Sequence, residues 1–306
     1  MSHIVSKKSL FIKLGQGGSW EKDCIENGLI RLGYNEANYE ACKEGDWKAI
    51  EDYYLDEGKS KIATTGYITQ IKYFFDEPEE TLWITFYNNK LWWTKAKKDV
   101  VLCENGTKTR IAVNGWSDKD VNGNTLYMEN LSGRLLKTQG FRGTICTIEE
   151  HDYLLRKINN KESQAVIATR SSYASLKNDV SNLIKELTWQ DFEVLIDLIF
   201  TQAGWQRVSS VGKTIKTLDL DLKAPVTGEK CLVQIKSSSN HKELSEYLKT
   251  FQSMDQYDKF YYVCHTFKGD PPPLENESKL KLMFVDQVAE LAIDSGLSKW
   301  IISKVS

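Results

Sequence analysis

Histidine is scarce in this chain, with four in 306 residues, which leaves little material for a His-based metal centre. The six cysteines (Cys24, Cys42, Cys103, Cys146, Cys231 and Cys264) lie far apart, with no CxxC or CxxxC pair. That spacing excludes a zinc-ribbon type of site and a disulfide framework. No window approaches the roughly 18 uninterrupted apolar residues of a membrane helix. The first residues lack the apolar stretch of a signal peptide, so a cytoplasmic protein is expected. There is no internal repeat or low-complexity tract, and Pro271-Pro272-Pro273 is only long enough for a stiff loop. Nor is there a strong charge of one sign. The net charge of −2 announces no nucleic-acid binder, although a local basic face is enough to hold phosphates.

What remains is a globular composition, 41% hydrophobic and 27% charged, in a chain long enough for two domains. Tryptophan is abundant, with nine residues, and Trp20, Trp47, Trp83, Trp92, Trp93 and Trp116 all fall in the first 120. Residues 9–14 and 28–34 read as strands and 46–54 as a helix. The runs 62–75, 81–87, 90–96 and 108–113, rich in β-branched and aromatic residues, read as further strands. Asn88-Asn89 and Asn105-Gly106 supply turns. Short strands at close spacing predict a barrel or strongly curved sheet. Gly15-Gln16-Gly17-Gly18 lacks the Gly-Lys-Ser/Thr ending of a phosphate loop and reads as a turn.

The pattern changes from residue 164 on. One or two helices connect the halves, and the domains are placed at 1–160, a helical linker at 161–184, and 185–306. In the last of these, Thr188 is an N-cap for a helix with Phe192, Leu195, Ile196, Ile199 and Phe200 on its apolar face, ended by Gly204. Residues 215–223 alternate with period two, so Asp219 and Asp221 share a face with Ile215 and Thr217, while Leu218, Leu220 and Leu222 share the other. A returning strand at 230–237 puts Gln234 and Lys236 on one face. The fold class is therefore α+β: a β-rich, barrel-like first domain and an α/β second domain with a mixed central sheet.

If the hairpin pairs as its Thr227-Gly228 turn implies, acid, carboxamide and ammonium converge. Phosphodiester hydrolysis needs those parts. Carboxylate and carboxamide oxygens suit Mg²⁺, a hard ion, and an ammonium stabilises charge developing on phosphate. The same spacing also fits the solvated face of a half-buried sheet.

Taken together, Asp191-Phe192-Glu193 to Gly204-Trp205, Leu220-Asp221-Leu222 and Val233-Gln234-Ile235-Lys236-Ser237-Ser238 resemble the Mrr-type restriction endonuclease core of the PD-(D/E)xK superfamily. Many members of that type carry Gln before the lysine. The resemblance implies duplex DNA as substrate, Mg²⁺ as cofactor, Lys236 as catalytic lysine and Gln234 as a metal-side ligand. It assigns the metal aspartate to Asp221, by the thirteen-residue interval to Gln234, with Asp219 as the competing choice. Glu193 stands where some members have a further acid, and Ser237 and Ser238 stand where a phosphate could be touched. Fewer acids than usual favour one metal ion over two. Cutting both strands implies a homodimer.

The first domain resembles PUA-superfamily readers (EVE, YTH and SRA-like) through Leu10-Phe11-Ile12, Gly45-Asp46-Trp47 and Trp92-Trp93. That resemblance implies a modified-base reader, with modified cytosine and defence against foreign DNA as the setting, and Trp20, Trp47, Trp83, Trp92 and Trp93 as stacking candidates. Lys90, Lys95, Lys97, Lys98, Lys108 and Arg110 are the basic residues available nearby. The rival readings are a non-catalytic DNA-binding protein on a nuclease scaffold and a nuclease for branched or damaged DNA.

Overall fold

The computed structural model describes residues 3–208, 219–252, 254–270 and 279–306. The chain folds as two units, Met1–Gln164 and Ala165–Ser306. The first contains β1 (Ser9–Ile12), α1 (Glu21–Glu26), β2 (Leu29–Leu32), α2 (Tyr39–Glu44), α3 (Trp47–Asp56), α4 (Lys61–Asp76), β3 (Leu82–Tyr87), β4 (Lys90–Leu102), β5 (Lys108–Ser117), α5 (Gly133–Leu136), β6 (Ile145–Thr147) and α6 (His151–Ile158).

Its strands run in the order β2-β5-β4-β3-β1-β6, antiparallel except for the β1–β3 pair. With β2 and β6 at opposite edges, the sheet is open among the described residues; the expected closed barrel is not what forms. The expected strand at 62–75 is also corrected, because these residues form α4. The Ser60 side chain accepts from the Ala63 amide as N-cap. Thr64, Ile71, Phe74 and Phe75 then bury at helical spacing. Local β-branched content is outweighed by that apolar stripe and its cap.

Central β3 is covered on both faces, so its hydrophobicity is nearly continuous. Leu82, Ile84 and Phe86 enter one core and Trp83 the other. Trp83 is fully buried, edge-on to Phe74 at 6.2 Å and 5.8 Å from the Arg110 guanidinium. Trp83→Ala is expected to destabilise the first unit by about 3–5 kcal/mol, the usual cost of truncating a buried aromatic. Calorimetry of the full chain checks this as a lowered first-unit transition.

The second unit contains α7 (Gln164–Glu186), α8 (Trp189–Gln202), β7 (Gln206–Arg207), β8 (Leu220–Lys223), β9 (Lys230–Asn240), α9 (His241–Gln252), β10 (Lys259–Lys268), β11 (Leu280–Phe284), α10 (Val285–Asp294) and α11 (Ser298–Val305). Its sheet, β11-β10-β9-β8-β7, is mixed: β9, β10 and β11 are parallel, and β7 and β8 are antiparallel. Where a linker is expected at 161–184, α7 is built into this unit. Val180 and Ile184 lie in its core, Lys177 donates to Glu290 at 2.5 Å, and Ser181 donates to Asp286 at 3.3 Å.

Alternation along β9 serves two cores. Cys231, Val233 and Ile235 meet α8 and α10, whereas Leu232 meets α9 through Leu244 and Phe251. Gln234 and Lys236 follow Leu232 on the α9 face. Residues 215–218 and 271–273, read above as strand and loop, lie outside the described residues.

Candidate active site

The β8–β9 register pairs Leu220 with Val233 and Asp221 with Leu232. Leu220 and Leu222 are buried in the core shared with α8, which turns Asp219 and Asp221 to the other face. Asp219, just before the first ladder pair, therefore meets Gln234. Its Oδ2 accepts from Gln234 Nε2 at 2.5 Å and from the Ile235 amide at 2.6 Å. Asp221 lies one step further along, opposite Leu232, where burial first and then its charge raise the Tyr257 hydroxyl's pKa. The face is the expected one, but the aspartate brought to Gln234 is Asp219.

Gln234 is 2% exposed, and its Oε1 is buried with no hydrogen-bond partner. An unpaired buried carbonyl oxygen is costly unless something binds it. Lys236 Nζ lies 3.5 Å from Glu243 Oε1 and 5.1 Å from the Tyr247 ring centroid, both on α9. Burial works to lower the Lys236 pKa. The Tyr247 hydroxyl, Glu243 and Asp219 outweigh it and hold the ammonium above its ordinary value.

Burial chiefly, with the Asp219 carboxylate second, raises Glu193 on α8, against Lys236 and Arg207. Burial raises Asp219 despite its bonds to Ile235 and Gln234 and the charge of Lys236. Ser237 turns to the α8 face with its Oγ buried and unpartnered, while Ser238, on the Lys236 face, is exposed.

Sequence reasoning missed three residues. Glu243 and Tyr247 were legible as an acid and an aromatic four apart on the helix that follows the lysine strand. His265 had no signal beyond its scarcity. It is 8% exposed, edge-on to Phe192 at 4.7 Å, with Nδ1 2.8 Å from Thr266 Oγ1 and Nε2 unpartnered. Burial first, then Lys185, holds its pKa below the usual value.

The tryptophans of the first unit divide. Trp83 is fully buried, and Trp93 is 7% exposed with its indole N–H on the Lys119 carbonyl at 2.8 Å. Neither offers a face to a base, which corrects both assignments; they are packing residues of a sheet covered on two sides. Trp20, Trp47 and Trp92 are half-buried. Trp47 lines a groove of about 280 Å³ between α3 and α4, with Lys48, Glu51, Thr65, Ile68, Thr69 and Lys72. Lys72 Nζ is 5.2 Å from a Trp47 ring centroid.

Among the basic residues, Arg110 is spent on the Lys97, Phe74, Glu77 and Ala96 carbonyls, and Lys108 on that of Tyr34. Lys90 pairs with Asp118, and Lys95 donates to Val5. Lys97 and Lys98 are exposed.

Residues 184–291, which span the Asp219–Gln234–Lys236 site, match the restriction endonuclease family model Mrr_cat. The second unit carries a restriction-type nuclease domain. DNA is the substrate such a domain implies, and the chemistry is phosphodiester hydrolysis. No curated protein and no solved structure matches the chain. No helix among the described residues is long and apolar enough to cross a membrane.

The nuclease's donor set is oxygen throughout: the Asp219 carboxylate, the unpartnered Gln234 Oε1 and the nearby Glu193. That set fits a hard divalent ion such as Mg²⁺. Among the described residues no three His, Cys, Asp or Glu side chains gather in a metal-binding group.

Both raised acids carry a pH consequence. Each is harder to ionise in the fold than in the unfolded chain, so its contribution to stability is complete below the unfolded pKa. That contribution is lost as pH rises through the raised folded pKa. Thermal melting of the metal-free chain tests this: the midpoint of Asp219→Asn is expected to rise relative to wild type as pH increases from roughly 3 to 7. A difference that does not grow with pH contradicts the expectation.

Proposed function

We propose that the chain is a Mg²⁺-dependent endonuclease of restriction type that hydrolyses duplex DNA. Its first unit directs it to DNA carrying modified cytosine, in defence against foreign DNA. The observation that carries the nuclease reading is the Gln234 carboxamide, its Nε2 on the Asp219 carboxylate and its Oε1 unpartnered, with Lys236 on the same strand face.

In this reading Asp219 and Gln234 hold one metal ion, and Asp221 does not. Mg²⁺ supplies Lewis acidity toward the phosphate and a more acidic water. Asp219 orients through its bond to the Ile235 amide, which keeps the carboxylate aimed at Gln234. Lys236 sets a positive charge where the phosphorane develops a negative one. Glu193, with its raised pKa, is placed to take or hold a proton of the attacking water. Ser238, exposed on the same face, is available to a phosphate oxygen.

Support for a base reader is the half-buried Trp47 face on a groove with Lys72 beside it, together with the resemblance to PUA-type readers. An indole face with a nearby cation suits a flipped base and its phosphate. One centre cuts one strand at a time, so a homodimer acting across the duplex is part of the proposal.

The test is cleavage of plasmid DNA with Mg²⁺ or EDTA, on unmodified substrate and on substrate carrying methyl- or hydroxymethylcytosine. Mg²⁺-dependent cutting of the modified DNA, with selectivity weakened by Trp47→Ala, supports both halves. Equal cutting of all substrates removes the modified-base reader. DNA binding without any cutting turns the reading to a scaffold.

A further inference from the structure

The lysine of this site does not stand alone. Its ammonium lies 5.1 Å from the Tyr247 ring centroid and 3.5 Å from Glu243 Oε1. Glu243 and Tyr247 are four residues apart on α9, so both side chains leave the same face of one helix. The Tyr247 ring is itself fixed from behind. It packs against the fully buried Tyr262 at a centroid distance of 5.8 Å, and the Tyr262 hydroxyl bonds Ser239 Oγ on β9. Lys236 and Ser239 thus belong to one strand, and the two tyrosines close a loop from that strand through β10 and α9 back to the lysine.

We propose that Tyr247 is a positioning residue of the nuclease, its ring face holding the Lys236 ammonium toward the Asp219–Gln234 pair, with Glu243 as the second anchor. This rests on the nuclease reading above. The physical reason is entropy and reach. A lysine side chain has four flexible bonds, and an unanchored ammonium samples many positions, few of them beside the scissile phosphate. An aromatic face and a carboxylate restrict that sampling before DNA arrives. Glu243 contributes a charge-assisted contact but is partly exposed, so solvent screens it and Tyr247 is the stronger anchor.

Simple packing of Tyr247 against Tyr262 is the competing explanation, and two variants separate the readings, because Tyr247→Phe keeps the ring face and Tyr247→Leu keeps only apolar bulk. With the full chain and Mg²⁺, the single-turnover cleavage rate at saturating DNA is expected to fall about a hundredfold in Tyr247→Leu and by no more than about threefold in Tyr247→Phe. DNA affinity should stay within about twofold, since the loss belongs to the transition state and not to binding. A second readout needs no cleavage. The Lys236 ammonium resonance in ¹⁵N NMR, assigned by its absence in Lys236→Arg, should be slow to exchange with water in the wild type and in Tyr247→Phe and lose that protection in Tyr247→Leu. A Leu variant within about twofold of the wild-type rate overturns the proposal, as does unchanged ammonium protection in that variant. If the wild type cuts no DNA offered, the nuclease reading fails, and the NMR comparison still decides the positioning claim.

Discussion

Asp219→Asn is expected to slow duplex cleavage on the order of 10³-fold while leaving the metal-free protein at least as stable as wild type. The two effects have one cause. The Asp219 carboxylate is half-buried, and burial raises its pKa although it accepts two hydrogen bonds. Keeping it ionised at neutral pH therefore costs the fold free energy, which a neutral carboxamide does not. The substituted carboxamide can still accept from the Ile235 amide, and Gln234 can turn its own amide to offer Oε1 to the new NH₂ group. What is lost is the charge that would hold Mg²⁺. Thermal melting with and without Mg²⁺ checks this: the wild-type midpoint should rise with the ion and the variant's should not. Asp221→Asn is the control. That carboxylate lies opposite Leu232, and no hydrogen bond joins it to Gln234, so the cleavage rate should stay within about threefold of wild type, as for most substitutions outside a working site. The reverse pattern, with Asp221 essential and Asp219 dispensable, contradicts the assignment.

Lys236→Ala is expected to cost a similar factor, on the order of 10³ in single-turnover rate, with DNA binding nearly intact. The ammonium is held among Tyr247, Glu243 and Asp219, and no other cation is placed to replace it at the Asp219–Gln234 pair among the contacts described. Removing it also leaves Glu243 and Asp219 without the positive charge both act upon. Lys236→Arg should recover little. A guanidinium can stack on the tyrosine face, but it spreads its charge over a longer planar fork and does not set a compact charge at the same point. Rates measured alongside equilibrium DNA binding separate this from a folding or affinity defect. A Lys236→Ala protein that cuts within tenfold of wild type removes Lys236 from the chemistry.

Much of the nuclease unit was legible because its signals were local. Thr188 caps α8 as expected, Phe192 to Phe200 bury on one face, and the Gln234/Lys236 alternation survives in β9. The choice between Asp219 and Asp221 was not legible, because both share a face and only the β8–β9 register decides which meets Gln234. An interval counted along the chain pointed to Asp221; the ladder brings Asp219. The Tyr247 anchor escaped because a tyrosine on a helix reads as core until the position of the lysine is known.

In the first unit, β-branched and aromatic content at 62–75 pointed to a strand, and the helical spacing of Thr64, Ile71, Phe74 and Phe75 with the Ser60 cap decided otherwise. Counting tryptophans could not show which had a free face. Trp83 sits in a strand buried from both sides, whereas Trp47, packed against the same core, also lines a groove.

The most direct measurement is single-turnover cleavage of an end-labelled duplex bearing modified cytosine, in Mg²⁺, by wild type, Asp219→Asn, Asp221→Asn and Lys236→Ala side by side. The account predicts cutting by wild type and Asp221→Asn only, and none by any of the four in EDTA. Equal cutting by wild type and Asp219→Asn, or cutting that persists in EDTA, would contradict it.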